Sequence, residues 1–457
     1  MTTDPLAPGP PREFADLPGP RGWPFVGNLL QIDVPRMHQQ LERWGDEFGP
    51  VFRLKLGRRP AIVISDHTLI ATALRDRPDG FRRTSRLEEI GGEIGLLGGL
   101  FTSNGDAWKR QRRMVMAGFD PAHVRRYFPA LQRVAQRLAG RWRRAAAGHA
   151  EIDLQSDLMR FTVDTIAGLA FGTEVNTLES DEDVIQTHLN RIFPMLFKRL
   201  FSPLPAWRWF PSADDRALTR SVAEVNAAVE GFIAQARARL EADPARRADP
   251  HNLLEAMIVA AEAPGSGIDD RQVAGNVLTM LLAGEDTTAN TIAWLIHLLW
   301  RHPTALARAA AQVRQVCGAA ADPTLEQIGR LDYVEACANE AMRLKPVAPQ
   351  NAMQALRDTT LGDVRIRCGT VLISLMRRDA TSDRHLPNAA AFEPERWLGA
   401  DGAAAPGAAK RVSMPFGAGP RICPGRYLAL LEIKMAMAVL LSHFEIESVH
   451  TVDGGEP

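Results

Sequence analysis

From Arg426 to Leu441 the chain is dense in Leu, Ala, Met and Ile, and past the opening arginine its only charged side chains are Glu432 and Lys434. A helix of that composition has no wet face, so the fold must wrap other elements around it. Immediately ahead of it stands Phe416-Gly417-Ala418-Gly419-Pro420-Arg421-Ile422-Cys423-Pro424-Gly425. Gly417 and Gly419 permit a tight turn and a close approach to a flat partner, which a Cβ would hinder. Pro424 and Gly425 close the turn, and the N-terminus of the apolar helix then points back at Cys423. Its free N–H groups and positive dipole end favour thiolate over thiol, which predicts a lowered pKa and a sulfur ready to hold a metal.

A single thiolate with no CxxC partner does not build a zinc or iron–sulfur site. It suits the one axial position of a haem iron, although a lone cysteine is equally at home as a small buried hydrophobe. The ten-residue context favours the first reading: FGAGPRICPG resembles the haem-binding signature FxxGxRxCxG of the cytochrome P450 family at every fixed position.

Three other segments carry the same resemblance. Asp269 to about Trp300 reads as one helix of roughly nine turns, opened by a capping-box pair, Asp269 and Gln272, and stopped by His302-Pro303. In its apolar middle lies Ala283-Gly284-Glu285-Asp286-Thr287-Thr288. Ala283 and Gly284 are small enough for a flat ligand to lie against the helix, and Thr287 can bond back to a carbonyl one turn earlier. Taken alone, the cluster also fits a kinked helix with a solvated acid. It resembles the family's oxygen-activation motif [AG]Gx[DE]T[TS], which implies that Asp286 and Thr287 relay protons on the oxygen-binding side.

Glu340 and Arg343 sit three apart in the helical run Tyr333 to Leu344, hence on one face. With Phe392-Glu393-Pro394-Glu395-Arg396-Trp397 they resemble the ExxR and FxPERF/W segments, which implies a structural network of Glu340, Arg343 and Arg396 supporting the cysteine loop. Trp108-Lys109-Arg110-Gln111-Arg112 resembles the family's WxxxR helix. That implies Trp108, Arg112 and Arg421 as partners of haem propionates, with Arg377 a weaker candidate because Arg377-Arg378-Asp379 stands where many relatives read His-Arg-Asp. By the same resemblance Phe416, Gly417, Gly425, Ala283 and Gly284 flank haem b (iron protoporphyrin IX), Cys423 ligates its iron, and Leu281, Val347 and Ala348 line a substrate pocket.

The implied fold is mainly α with a small β-sheet lobe, the helical triangular prism of the P450 family. Strands are expected near Val51 to Leu56, Ala61 to Ser65 and Val371 to Leu375, where β-branched residues sit between glycine and proline turns. No linker divides the 457 residues. Residues 17–457 are therefore expected as one catalytic domain, behind a disordered segment 1–16 rich in proline and polar residues. Ile192 to Phe210 concentrates Phe, Met, Leu and Trp and fits either a lid or ordinary packing. The connector Leu87 to Phe101, with Gly91, Gly92, Gly95, Gly98 and Gly99 and nearby Gly80, is expected to be mobile.

The charge balance, 54 Lys and Arg against 54 Asp and Glu, argues against general nucleic-acid binding. Between Trp108 and Arg144, however, eleven basic residues face one acid, Asp120. That region is either a solvated face or a landing site for an acidic partner. Four cysteines without framework spacing fit a reducing cytosol, and no apolar stretch near Met1 suggests a signal or anchor. The chain is expected to be a soluble, cytoplasmic monomer, as in bacterial members of the family. Only 34 residues follow Cys423, so electrons are expected from a separate ferredoxin or flavodoxin with its NAD(P)H-dependent reductase. The activity implied is insertion of one oxygen atom from O2 into a lipophilic substrate such as a fatty acid, terpenoid or steroid-like molecule. The rival readings are a peroxide-driven haem-thiolate peroxygenase, which tends to lack the acid–threonine pair, and a non-enzymatic haem ligand sensor.

Overall fold

The computed structural model describes residues 10–119, 121–180, 184–202, 204–318, 322–399 and 407–451. Helices dominate, and the long one expected around Thr287 runs Asp270–Arg301. Asp269 caps it, accepting from the Gln272 N–H at 2.8 Å, while the Gln272 side chain accepts the Asp269 N–H at 3.0 Å. Two orphan donors are thereby satisfied at the start. Val273, Val277 and Leu278 in its first half belong to one apolar cluster, and Ile292, Leu295 and Leu299 in its second half to another. Its polar middle therefore lies at the seam between two cores. The helix after the cysteine loop, Arg426–His443, bridges the same seam, with Leu428 in the first cluster and Leu431 onward in the second.

The strands are β1 (Val51–Leu56), β2 (Arg59–Ile64), β3 (Phe81–Arg82), β4 (Gln350–Ala355), β5 (Thr359–Leu361), β6 (Val364–Ile366) and β7 (Val371–Leu375), among the described residues. Five of them form a sheet in the order β1-β2-β7-β4-β3, and β5 and β6 pair as a hairpin. Only β2 and β7 run parallel, in register from Ala61 opposite Val371 to Ile64 opposite Ser374. Both sheet faces are covered: Ile62, Ile64 and Leu372 pack to one side, and Ala61, Val63, Val371 and Ile373 to the other. This is the period-two alternation of a strand buried on both faces.

Two expectations need correction here. Residues 10–16, expected to be disordered, are tied to the β5–β6 hairpin. The Arg12 N–H donates to the Asp363 carbonyl at 2.7 Å, its carbonyl accepts from Arg365 at 2.9 Å, and its guanidinium pairs with Asp363. Pairing to a strand edge orders a segment whose composition alone does not; residues 1–9 lie outside the described residues. The glycine connector is also less free than expected. A Cβ on Gly99 would lie 2.1 Å from the Gly275 carbonyl oxygen, and the Leu100 N–H donates to Asn276 Oδ1 at 2.9 Å. These glycines let the connector press on the long helix.

The apolar stretch Ile192 to Phe210 divides. Ile192, Met195 and Leu196 on the helix Val184–Phe201 enter the core, while Leu204, Trp209 and Phe210 protrude, Phe210 with 81% of its surface exposed.

Candidate functional site

The cysteine loop is closed by its own backbone: the Cys423 N–H donates to the Phe416 carbonyl at 2.9 Å, and the Gly417 N–H to the Met414 carbonyl at 2.9 Å. Gly417 and Gly419 both adopt left-handed φ, +73° and +70°. A Cβ on Gly419 would lie 2.6 Å from the Leu74 carbonyl oxygen, so that glycine lets the loop touch the helix His67–Arg75. Around Gly417 a Cβ would meet nothing within 4 Å, which leaves the close-approach surface a planar group needs.

Cys423 is half-buried. Burial pushes its thiol above the ordinary range, opposed by the N–H groups of Gly425 and Arg426 and by the charges of Arg112 and Arg426. The expected lowering therefore does not appear: the donors of the helix N-terminus are in place, but desolvation outweighs them. A cation at the sulfur reverses that balance, because a coordinated thiol is deprotonated outright.

Trp108 and Arg112, on the helix Gly105–Gly118, meet Arg421 of the cysteine loop. The Arg421 guanidinium lies over the Trp108 ring at 4.8 Å from its centroid and donates to the Ser103 carbonyl. Two further arginines, not singled out by sequence, complete a cluster. Burial, then Arg83 and Arg421, push Arg77 down to about 8. Burial alone lowers Arg83 to about 10. Burial, then Arg83 and Arg112, lower Arg421 to about 9, with Glu88 pulling the other way. Nε and Nη2 of Arg77 and Nε of Arg421 are buried without a hydrogen-bond partner. Guanidinium groups keep their protons in proteins, so a buried cluster of this kind calls for anions. The two propionate carboxylates of a haem would answer that need, and Cys423 would answer its iron.

Along the long helix, Ala283, Asp286 and Thr287 present accessible surface, though protein atoms still crowd the Asp286 carboxyl. The Thr287 hydroxyl donates to the Ala283 carbonyl at 2.7 Å, the back-bond expected. Asn290 donates to Asp286 Oδ1 at 2.7 Å. Burial nonetheless raises the Asp286 carboxyl above the ordinary range, with the Asn290 hydrogen bond opposing. Two of its neighbours face the protein interior instead. Leu281 is only 2% exposed and packs in the core, because two residues rotate it about 200° from Ala283. Gly284 does not present its bare side to a cofactor: a Cβ there would lie 2.6 Å from Ile166 Cδ1, so the glycine serves packing against the helix Leu154–Ile166. Val347 and Ala348 are exposed on the loop after the helix Asp332–Leu344.

Glu340 and Arg343 are fully buried and paired through both carboxylate oxygens, at 2.6 and 2.7 Å. Arg343 also donates to the carbonyls of Ala380, Ala389 and Ala391, at 2.6, 2.6 and 3.0 Å. Glu340 further accepts from the Glu393 N–H and the Trp397 indole, and Arg396 Nε stands 3.4 Å from it. The network clasps residues 380–397, the segment that leads toward the cysteine loop. Arg377 is not offered to the cluster near Cys423: it binds Glu42 and the Leu344 carbonyl.

A family model described as Cytochrome P450 matches residues 17–455. The chain belongs to the cytochrome P450 family. This P450 is 30% identical to Cytochrome P450 734A6 of Oryza sativa subsp. japonica, over 90% of its own length and 77% of the rice protein. It is 26% identical to Protein LUTEIN DEFICIENT 5, chloroplastic, of Arabidopsis thaliana, over 88% of this chain and 68% of that one. To the Bifunctional cytochrome P450/NADPH-P450 reductase 2 of Bacillus subtilis it is 28% identical over 95% of its length, yet it spans only 40% of that protein. Haem is the cofactor of the family. No described helix of this P450 is long and apolar enough to cross a membrane.

Proposed function

We propose that this P450 is a haem-thiolate monooxygenase that inserts one oxygen atom from O2 into a lipophilic substrate, by hydroxylation or epoxidation. The observation that supports it best is the pairing of one cysteine, held at a helix N-terminus, with a buried guanidinium cluster in which Nε and Nη2 of Arg77 and Nε of Arg421 have no hydrogen-bond partner. When bound, the haem supplies the oxygen activation and one-electron chemistry that side chains lack.

The chain's own residues do the rest. Cys423 Sγ, steadied by the N–H groups of Gly425 and Arg426, would hold the haem iron. Arg421, Arg112, Arg83 and Arg77, with Trp108, hold the propionates. Phe416, Gly417, Gly425 and Ala283 flank the ring. Asp286, raised by burial, takes up and releases a proton nearer neutrality than an ordinary aspartate, Asn290 fixes its orientation, and Thr287 passes the proton on. Val347 and Ala348 offer apolar surface to the substrate. Electrons arrive from a separate ferredoxin or flavodoxin with its NAD(P)H-dependent reductase. The groove beneath the cysteine loop, lined by Arg75, Lys410, Arg411 and Arg426 against Asp332 and Glu335, carries the excess of positive charge that an acidic donor needs. We read the protein as a cytoplasmic monomer.

The test is the spectrum of the reduced, carbon-monoxide-bound protein. Wild type should show the red-shifted band of a thiolate ligand and Cys423→Ala should lose it; an imidazole-type band in wild type overturns the assignment. Turnover supported by reductase should exceed turnover supported by peroxide, and the reverse would make the protein a peroxygenase.

A further inference from the structure

We propose that His67, Asp379 and His385 form a binding site for a zinc-class divalent cation, outside the haem site. His67 Nδ1 lies 2.9 Å and His385 Nε2 3.3 Å from the same oxygen, Asp379 Oδ2, and the three ligand atoms fall within 4.8 Å of one another. Tetrahedral zinc, with bonds near 2.0 to 2.1 Å, holds its ligand atoms roughly 3.3 Å apart, so small side-chain rotations bring all three into place. Two imidazoles and one carboxylate suit zinc, copper or nickel rather than magnesium or calcium. All three side chains are partly exposed, which leaves room for water to complete the coordination.

Topology assembles the cluster. Because β2 and β7 lie side by side and parallel, the chain leaves both strands at the same sheet end. His67 begins the helix that follows β2, and Asp379 begins a short 3₁₀ turn after β7. His385 is set by its own turn, its N–H donating to the Ser382 carbonyl at 3.0 Å. The imidazole rings meet edge to face, 4.7 Å between centroids. A bound ion would take the place of the ring contacts to Asp379, whose Oδ2 also accepts the His67 backbone N–H at 2.9 Å, and would join the His67–Arg75 helix, on which the cysteine loop rests through Gly419, to the segment clasped by Arg343.

The experiment uses the haem-loaded full-length protein, stripped with a chelator and titrated with zinc chloride by calorimetry. One equivalent should bind, with the melting temperature raised, and copper(II) in its place should give an electron paramagnetic spectrum with nitrogen coupling. His67→Ala and His385→Ala should each weaken zinc binding by more than the ~10–100-fold typical of losing a ligand's supporting contact. His67→Gln, which keeps a hydrogen-bonding group toward Asp379, should fold normally and still fail to bind. The exposed His149→Ala should bind as wild type. Stoichiometric zinc binding that survives in the His67→Gln, His385→Gln double variant, or the lack of any saturable binding in wild type, overturns the proposal.

Discussion

Glu432 sits in the apolar helix behind the cysteine loop, 1% exposed, with Oε1 lacking any hydrogen-bond partner. Burial pushes its carboxyl up to about 8, and a hydrogen bond with Thr288 of the facing helix pulls the other way. The unfolded chain releases that proton near 4.5, the native chain only near 8. Between those values the native state holds an extra proton, so stability falls as pH rises from about 4.5 to about 8 and is flat beyond. A gap of roughly three and a half pH units at 1.36 kcal/mol each amounts to about 5 kcal/mol as an upper bound. Glu432→Gln keeps the shape of the neutral acid and removes the titration. Urea unfolding of the haem-loaded protein, followed by the Soret band from about pH 5 to pH 9, should find the two proteins nearly equal at the acid end. The variant should become more stable by several kcal/mol near pH 8, with the curves parallel above that. A constant difference across the whole range would refute a neutral Glu432.

Other outcomes follow from the same geometry. Arg343→Ala strands Glu340 and three carbonyls and should cost roughly 3 to 5 kcal/mol in urea unfolding, and Arg343→Lys should not restore it, because an ammonium cannot pair with both carboxylate oxygens. Arg77→Gln should weaken haem retention, read as faster haem transfer to apomyoglobin, while leaving the thiolate spectrum of the loaded fraction unchanged; unaltered transfer would remove Arg77 from the propionate clasp. Thr287→Ala should keep haem and substrate affinity while diverting electrons to peroxide, checked as the ratio of product formed to NAD(P)H consumed.

Local signals made much of this legible. The bounds of the long helix follow from Asp269, Gln272 and Pro303, and the cysteine loop from its glycines, because caps and turns are written within a few residues. The strand β4 was missed because Gln350, Asn351 and Gln354 interrupt any apolar alternation; its pairing with β7 decides its conformation. Arg77 and Arg83 look like ordinary basic residues, since nothing nearby in sequence announces that tertiary packing buries them beside Arg421. Leu281 and Gly284 show the converse limit. A motif specifies residue types, whereas the azimuth around the helix decides which of them meets the cleft and which meets Ile166. For Cys423 the helix end was read correctly, but the desolvation that opposes it depends on neighbours far along the chain.

His67 and Asp379 touch across 312 positions of sequence, and β2 reaches its parallel neighbour only after nearly the whole intervening chain has been made. During synthesis β1 and β2 therefore wait as a hairpin with the β2 edge unpaired. Exposed edges of that kind invite pairing with other chains. A nascent or truncated polypeptide that stops before Val371 is thus expected to aggregate rather than settle into a smaller folded unit.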